Sequence, residues 1–486
     1  MRSLRRPALV LAAYLGTFLA SLDISIVNVA LPTLQQALHT DLAGLQWVIN
    51  AYAIALSALM LSAGPLGDRH GHRRMWLASV ALFTAGSLLC ALAGSLSTLI
   101  VGRTVQGVAG ALLIPSAMPI LSHAFPDPQQ RSRAIGGWSA FSALALVLGP
   151  LLGGALVHWV GWPSIFLINV PLGLLALALG AWSIPERRHP QHAALDPAGQ
   201  VLSVIALAAL SYALIGIGDY GVSAPRTLLA LAVAVLGLLV FAFVQRRVAR
   251  PLLPLDLFAD RTFALLNMAS FVLGFTAYAS LFFLSLFFQQ AQGHSAADAG
   301  MQLVPQFLLM AVVSLLFGRI ASRVGLLAAV ALGYAMVGVS LCAMAGFTAQ
   351  TSAAAATAAL LVLGAGMGMA VPGTGAAVMA CVPHERAGIA SATMNALRQA
   401  GMSLGIAMLG SMMGMRALHC LAASIGKEGA AQAHAVLQAP ASELLASPWL
   451  GSYRAATASG FAWAMAVAGI IALTAGWSVW RQRAAA

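Results

Sequence analysis

The stretch ALVLAAYLGTFLASLDISIVNVALP, residues 8–32, is an apolar run with one charged residue, Asp23. A bilayer core takes about 20 apolar residues of helix, so the run is long enough to cross a membrane. The residues before it, MRSLRRP, resemble the n-region of a signal peptide. The run behind them is too long for a typical h-region, and no small-x-small cleavage site interrupts it. It is therefore read as a retained first helix whose N-terminus faces the cytoplasm. That reading leaves a question, because a membrane helix should tolerate no carboxylate where Asp23 stands.

Composition extends the membrane reading to the whole chain. Its 486 residues are 60% hydrophobic and 8% charged, with a mean hydropathy of +0.89. Soluble domains carry about 25% charged residues, and no soluble fold could hide this much apolar surface. The apolar runs are continuous and do not alternate, which excludes a β-barrel. The expected fold class is an all-α polytopic membrane protein. The isoelectric point near 10.6 does not signal nucleic-acid binding, because the basic residues punctuate the apolar runs and do not cluster. The cysteines Cys90, Cys342, Cys381 and Cys420 are scattered and form neither a disulfide framework nor a metal spacing.

Fourteen apolar segments follow one another. They lie at 8–31, 45–66, 75–94, 98–123, 133–158 and 163–184, then 197–218 and 225–244, then 262–289, 299–318, 325–348, 352–379, 388–415 and 457–480. Arginine placement tests the count. With a cytoplasmic N-terminus, 19 of the 25 basic residues fall inside, among them Arg187, Arg188 and Arg250. Only Arg226, Arg416, Lys427 and Arg454 fall outside, and Arg103 and Arg398 lie within spans. A miscount by one helix would invert this positive-inside asymmetry downstream. Trp47, Trp76, Trp159, Trp162, Trp182, Trp477 and Trp480 lie near predicted span ends, where amphipathic rings anchor. The expected organisation is an N-terminal six-helix bundle at 1–190, two linker helices at 191–250 and a C-terminal six-helix bundle at 251–486. An outside loop at about 417–456 carries an alanine-rich stretch suited to a surface helix. There is also an internal echo: GPLGDRHG (64–71) and GRIASRVG (318–325) fall at matching points of the two halves, each with arginine in sixth place. Repeated halves are a transporter signature.

Asp23 is the one acid inside the predicted spans. A charge at that depth costs at least about 2.5–3.5 kcal/mol on insertion scales, so intramembrane acids are functional by default. A carboxyl group in apolar surroundings takes up a proton more readily than one in water, which makes Asp23 a candidate proton carrier; the plain alternative is a structural carboxylate paired with an arginine. Arg103, in LIVGRTVQGVAGA (99–111), is the best partner. Counted from the outer ends of their helices at 1.5 Å per residue, the two depths differ by only about 5 Å. Otherwise Arg103 would snorkel to the outer interface. Gln106 and the small residues after it suit close helix approach.

Three further features stand out. GPLGDRHGHRR (64–74) is expected as a tight cytoplasmic turn that uses Gly64, Gly67, Asp68, Arg69, Gly71 and Arg73. LGPLLGG (148–154) sets Gly149, Gly153 and Gly154 around Pro150, either as ordinary close packing or as a hinge or seal between halves. Arg398, in NALRQAGMSLG (395–405), could bind an anion, pair with another group or be structural. Asn28, Tyr52, Gln106, Trp138, Phe282, Asn395 and Arg398 are candidates to line a substrate cavity. The single lysine, Lys427, is followed by Glu428, so no Walker A motif exists to bind ATP. No nucleophile, base or metal cluster suggests an enzyme.

These motifs, taken in order, resemble the fourteen-helix drug:proton antiporter branch of the major facilitator superfamily. Leu22, Asp23, Val27, Asn28, Val29, Ala30, Leu31 and Pro32 match that branch's first-helix signature, with Ser25 at a threonine place. QWVINAY (46–52), the 64–74 loop, the Arg103 segment, the Gly149–Gly154 motif, GWPSIFLINVPLG (161–173) and RQAG (398–401) follow. Departures are His72, Pro163, Ser164, and Ser322 where the first-half motif has Asp68. The resemblance implies two six-helix bundles that rock around a central cavity, with proton entry coupled to export. It implies that Asp23 and Arg103 couple the proton and that Asp68 and its neighbouring arginines latch the bundles at the cytoplasmic side. No cofactor is expected, since the proton gradient is the driving force. The expected partners are the bilayer, protons and small hydrophobic substrates, neutral or cationic. The expected state is a monomer in a bacterial cytoplasmic membrane, with both termini inside. The alternatives are a dedicated exporter of one metabolite or antibiotic, or, in a different class, a passive channel or membrane sensor.

Overall fold

The structure is a computed structural model that describes residues 2–186, 196–248, 251–253, 255–383, 386–425, 430–438 and 447–485. Arg187, Arg188, Arg250 and Lys427, which enter the charge pattern, lie outside the described residues, as do 426–429 and 439–446 of the predicted outer loop. Among the described residues, 14 helices are long and apolar enough to cross a membrane. Continuous apolar sequence leaves the backbone no partner but itself, and a helix satisfies every N–H and C=O within the segment.

The first half holds α1 (Arg2–Ala37), α2 (Leu42–Met60), α3 (Ala63–His70), α4 (His72–Ala91), α5 (Leu96–Ala124), α6 (Pro128–Trp159), α7 (Ser164–Leu167) and α8 (Asn169–Ser183). The linker pair is α9 (Pro197–Tyr220) and α10 (Pro225–Arg247). The ninth span joins α11 (Arg261–Leu273), a π-helical turn (Gly274–Tyr278), α12 (Ala279–Leu286) and a second π-helical turn (Phe287–Ala291). Then come α13 (Ala296–Val324), α14 (Leu326–Met344), α15 (Ala353–Ala380), α16 (Ala387–Ile425), the short α17 (Ala430–Gln438) in the alanine-rich stretch, and α18 (Leu450–Ala485).

Several helices overrun the apolar segments because polar residues cap them. Asp41, Ser95, Asp127, Asp196, Asp260, Ser295 and Ser352 each accept a bond from a backbone N–H in the first turn of α2, α5, α6, α9, α11, α13 and α15. Asp298 thereby falls in the first turn of α13, and Asp219 lies in the last turn of α9, so among the described residues Asp23 remains the acid deep within a span. The outer loop expected at 417–456 is shortened by the continuation of α16 to Ile425 and the start of α18 at Leu450. Trp159, Trp182, Trp477 and Trp480 are exposed at helix ends, as anchors should be. Trp76 is not an anchor. It is fully buried, and an added Cβ at Gly180 would meet its ring at 2.1 Å.

The internal echo has a structural basis. Gly71 (φ +100°) and Gly325 (φ +89°) each end one helix and begin the next, and each donates its N–H back, to Gly67 O and Ala321 O. Both glycines stand in eighth place of their motif, where a side chain would strain the backbone.

In the first half α1 packs on α5, α6 and α8, and α2 and α4 pack on α5. In the second half α14 packs on α15 and α18, α13 on α15, and α16 on α11 and α18. The linker helix α9 lies against both α2 and α16. Gln200 Nε2 donates to Ala58 O at 2.5 Å, and Ser411 Oγ donates to Leu214 O at 2.6 Å, so one helix is bonded to both halves.

The halves meet most closely away from the arginine-rich turns, on the side called outer here. Gln46 Nε2 donates to Ile406 O (2.6 Å) on α16, Gln289 Nε2 to Val29 O (3.0 Å), and Gln290 Nε2 to Gln35 Oε1 (2.7 Å). Toward the side of the arginine-rich turns, Ser57 Oγ donates to Ala396 O at 2.8 Å. Among the described residues, α5 has no extended packing against α13, α15 or α16. The halves are thus closed at the outer side and parted between α5 and the second half.

Backbone contact sets the spacing of α11 and α16. A Cβ on Gly401 would stand 2.0 Å from Phe271 O, and one on Gly274 would stand 1.9 Å from Arg398 O. Gly401→Ala is expected to destabilise by about 1–3 kcal/mol, read as a lower melting temperature in detergent. Gly318→Ala, at a helical position with nothing within 4 Å, should leave the melting temperature unchanged or slightly raised.

Candidate functional site

Asp23 and Arg103 meet as the depth argument requires. Arg103 Nη1 donates to Asp23 Oδ2, and the two side chains are 1% and 0% exposed. Arg103 Nη1 also reaches Gln106 Oε1 at 2.9 Å, and its Nε donates to Val48 O at 3.1 Å. Gln106 stands one turn along α5 on the same face. Its Nε2 donates to Asp23 Oδ1 (3.1 Å) and to Ser87 Oγ (2.8 Å) on α4, and Asn169 Nδ2 of α8 donates to the same hydroxyl at 3.4 Å. Both carboxylate oxygens of Asp23 are therefore occupied by donors from α5.

Small residues bring these groups together. A Cβ on Gly107 would lie 2.5 Å from Tyr52 O, so α2 presses against α5 at that level. This delivers Val48 O to Arg103 and sets the Tyr52 ring 4.4 Å from the guanidinium carbon. Phe166 faces the same guanidinium at 6.0 Å. A cation against aromatic faces in a dry site is held more tightly than in water.

Beside Arg103 lies a cavity of about 10 Å³, room for one water molecule at most. Asn28, Tyr52 and Arg103 line it from the first half, and Tyr278, Leu281 and Met402 from the second. A larger cavity, about 110 Å³, opens at the outer side, where Gln35, Asp41, Gln46, Asp219, Gln290 and His434 converge. Among the described residues, no three His, Cys, Asp or Glu side chains gather as a metal site would need.

The 64–74 segment is helical on both sides of Gly71 and is not a simple turn. Asp68 Oδ1 meets His72 Nε2 at 3.1 Å, Arg73 Nη2 donates to Ala181 O at 2.5 Å, and Arg74 approaches Glu186 at 3.7 Å. A Cβ on Gly67 would strike the His72 ring at 2.7 Å, and one on Gly71 would strike Glu186. Gly64 and Arg69 face open space. These contacts tie the segment to α8 within the first half.

The Gly149–Gly154 motif packs in two directions. Added Cβ atoms at Gly149 and Gly153 would overlap Ser25 and Ile26 of α1. One at Gly154 would lie 2.7 Å from Ala296 O, and Gly300 of α13 lies as tightly against Pro150 O. The helix runs on through Pro150. The motif thus binds α1 on one face and forms part of the closed outer contact between halves on the other.

The candidate cavity residues separate. Asn28 and Tyr52 line the small cavity, and Gln106 belongs to the Asp23 network. Trp138 bonds to Thr17 Oγ1 at 2.8 Å, inside the first half. Phe282 is fully buried, edge-on to Phe283 at 5.1 Å, as core. Asn395 accepts from Arg398 Nη2 at 2.5 Å. Sequence reasoning missed Tyr278, Met402, Gln289 and Gln290, which the π-helical ninth span and α16 bring to the contact between halves. It also missed Ser87 and Asn169, whose roles depend on side-chain direction.

If Asp23 and Arg103 are coupled as charges, Arg103→Ala should cost about 3–5 kcal/mol, because it leaves a buried carboxylate unpaired. Adding Asp23→Asn to that variant should restore part of the lost melting temperature in detergent. Absence of any recovery would show that the two side chains are not coupled.

The sequence profile described as Major Facilitator Superfamily matches residues 13–406. A multidrug resistance protein, Stp, of Mycobacterium tuberculosis is 34% identical, over 83% of this chain and 75% of its own length. A methylenomycin A resistance protein of Streptomyces coelicolor is 36% identical, over 81% and 83%. A tetracenomycin C resistance and export protein of Streptomyces glaucescens is 35% identical, over 84% and 76%. The fold is shared with a bacterial homologue of the human lysosomal transporter Spinster in an inward-facing, unoccupied conformation: TM-score 0.67, 17% identity, covering 98% of this chain and 96% of that one. It is shared as well with a D-xylose-proton symporter: TM-score 0.64, 15% identity, 97% of each chain. The chain belongs to the Major Facilitator Superfamily of membrane transporters.

Proposed function

We propose that the chain exports small hydrophobic molecules in exchange for protons, by alternating access, as a monomer in a bacterial cytoplasmic membrane with both termini inside. The export direction is supported by relatives named for multidrug resistance, methylenomycin A resistance and tetracenomycin C export. The proton is the proposed driver because the chain lacks a Walker A motif and buries one carboxylate deep within its spans.

One observation carries the coupling. The helix that holds Asp23 also supplies the outer contact. Six residues beyond Asp23, Val29 O accepts from Gln289, and Gln35 of the same helix accepts from Gln290. Ser25 and Ile26, between them, lie in the Gly149 and Gly153 grooves of α6. In the proposed cycle a proton binds a carboxylate oxygen of Asp23. The neutral acid loses its charge-assisted bond to Arg103, while Arg103 keeps Val48 O, Gln106 and the Tyr52 face. α1 is then freer to shift against α5, and the outer contact it forms with the ninth span loosens. Loss of the proton restores the pair. Asp68 and the arginines of 64–74 take the proposed latch role in the opposite state, since here Asp68 meets His72 of its own segment and Arg73 and Arg74 reach Ala181 and Glu186 of the same half.

The test is reconstitution in vesicles with an imposed pH gradient, following dye movement and lumenal pH together. Wild-type protein should move dye only with the gradient and dissipate it in step. Asp23→Asn should bring dye movement to the level of empty vesicles while the protein stays folded. Gradient-independent flux at channel rates would overturn the antiporter reading.

A further inference from the structure

The second intramembrane arginine has a different environment from the first. Arg398 stands eleven residues into α16 from Ala387, about 16 Å along the helix at 1.5 Å per residue. Its Nη2 donates to Asn395 Oδ1, and its guanidinium lies 5.4 Å from the Tyr278 ring. Its Nε is buried with no hydrogen-bond partner, and no carboxylate pairs with it among the described residues. Asp23, the acid deep within a span, has both oxygens engaged by Arg103 and Gln106. Arg103 is paired with a carboxylate; Arg398 is not, among the described residues.

The surroundings hold Arg398 in place and do not neutralise it. Its own carbonyl is pressed against Gly274, where a Cβ would come within 1.9 Å, so the backbone of α16 is seated on the first π-helical turn. Tyr278 ends that turn and reaches the small cavity between the halves, together with Asn28 and Met402. π-turns inside α-helices recur at functional sites. Asn395 is itself fixed, donating from Nδ2 to Ser391 O at 2.9 Å. An aromatic face and an amide oxygen orient a guanidinium, but they leave its positive charge uncompensated in a membrane interior, where charges ordinarily find a partner.

Resting on the export function above, we propose that Arg398 anchors the substrate and that the preferred substrates are hydrophobic organic anions, carrying a carboxylate or an ionised enol or phenol. The anionic oxygens take the free donors of Arg398 in a charge-assisted bond beside the Tyr278 ring; the neighbouring cavity holds one water at most in this conformation, so the apolar body needs the halves to part further. Asp23 alone would favour cations, but it is already neutralised by Arg103. The charge left without a carboxylate beside Tyr278 is positive, so a cationic substrate is repelled where an anion is held.

The experiment uses the purified full-length protein in nanodiscs, with no gradient. The probes are pyrenebutyrate, its neutral methyl ester and the matching pyrenebutyl-trimethylammonium cation, with binding followed by fluorescence. Wild-type protein should bind the carboxylate at least tenfold more tightly than the cation, with the ester between. Arg398→Gln should weaken the carboxylate at least tenfold and leave the ester little changed, while Arg398→Lys retains part of the preference. Equal binding of anion and cation by wild-type protein, which needs no variant to fold, overturns the proposal; so does an equal loss of all three probes in a folded Arg398→Gln. A loss of proton coupling in vesicles alongside intact anion preference would instead count against the export cycle and leave the anion site standing.

Discussion

A carboxylate and a guanidinium with no exposed surface between them join α1 to α5, and the arrangement of the first half follows from keeping them together. Neither charge could lie in this interior alone. Removing water from an ion of this size carries a penalty of several kcal/mol, which mutual attraction offsets only when geometry and further hydrogen bonds are favourable. Here those bonds come from three other helices and an aromatic face. α2 must approach close enough to offer Val48 O and Tyr52, which Gly107 permits. α4 and α8 reach the pair through Ser87 and Asn169, by way of Gln106. One polar cluster thus fixes the relative positions of α1, α2, α4, α5 and α8.

The contact between halves is built differently. It relies on glycine against backbone carbonyl and on glutamine side chains bonded to backbone oxygens, with no charge at all among those named. Such contacts suit the joint that the proposed cycle opens and closes. A buried ion pair across it would leave two bare charges on separation, whereas an amide or a carbonyl is easily rehydrated at the water-facing outer side. The linker helix α9 complicates any simple rocking motion, because it is bonded to Ala58 of α2 near one end and to Ser411 of α16 toward the other. In the proposed cycle the α2–α16 side is the pivot, and separation is easiest where α5 faces the second half without extended packing.

The fourteen spans were legible in the sequence because the rule that produces them is local: continuous apolar sequence in a membrane has only the helix to satisfy its backbone. The pairing of Asp23 with Arg103 was legible for a related reason. With one deep acid and two deep arginines, counting residues from helix ends sufficed to match depths. Helix ends were less legible, because side-chain caps such as Asp41 and Ser295 extend helices past the apolar run. Trp76 looked like an interfacial anchor because only its distance from a predicted end was visible. Its burial under Gly16 and Gly180 depends on which way α4 turns. Phe282 failed as a cavity residue for the same reason. The two π-turns of the ninth span left no compositional trace; the first packs on α16 and the second on α18, and such tertiary contacts are not visible in residue type.

The size of the proposed switch can be weighed against what a transporter needs. Driving a two-state equilibrium from 1:99 to 99:1 takes about 5.5 kcal/mol of differential binding. Breaking a buried ion pair by removing one charge costs about 3–5 kcal/mol, and protonation of Asp23 removes one charge. A single proton is therefore close to sufficient but falls short by itself, unless the other state offers Arg103 a new acceptor. The remainder must come from a ligand that distinguishes the two states. Arg398 is placed to supply it, because Tyr278, whose ring its guanidinium faces, meets Asn28 of α1 across the small cavity, so an anion held at Arg398 lies one side chain away from the helix that carries Asp23. By linkage, any substrate that favours one state must change the proton affinity of the other site by the same factor. Exchange then requires no direct contact between substrate and proton, only that both act on the position of α1.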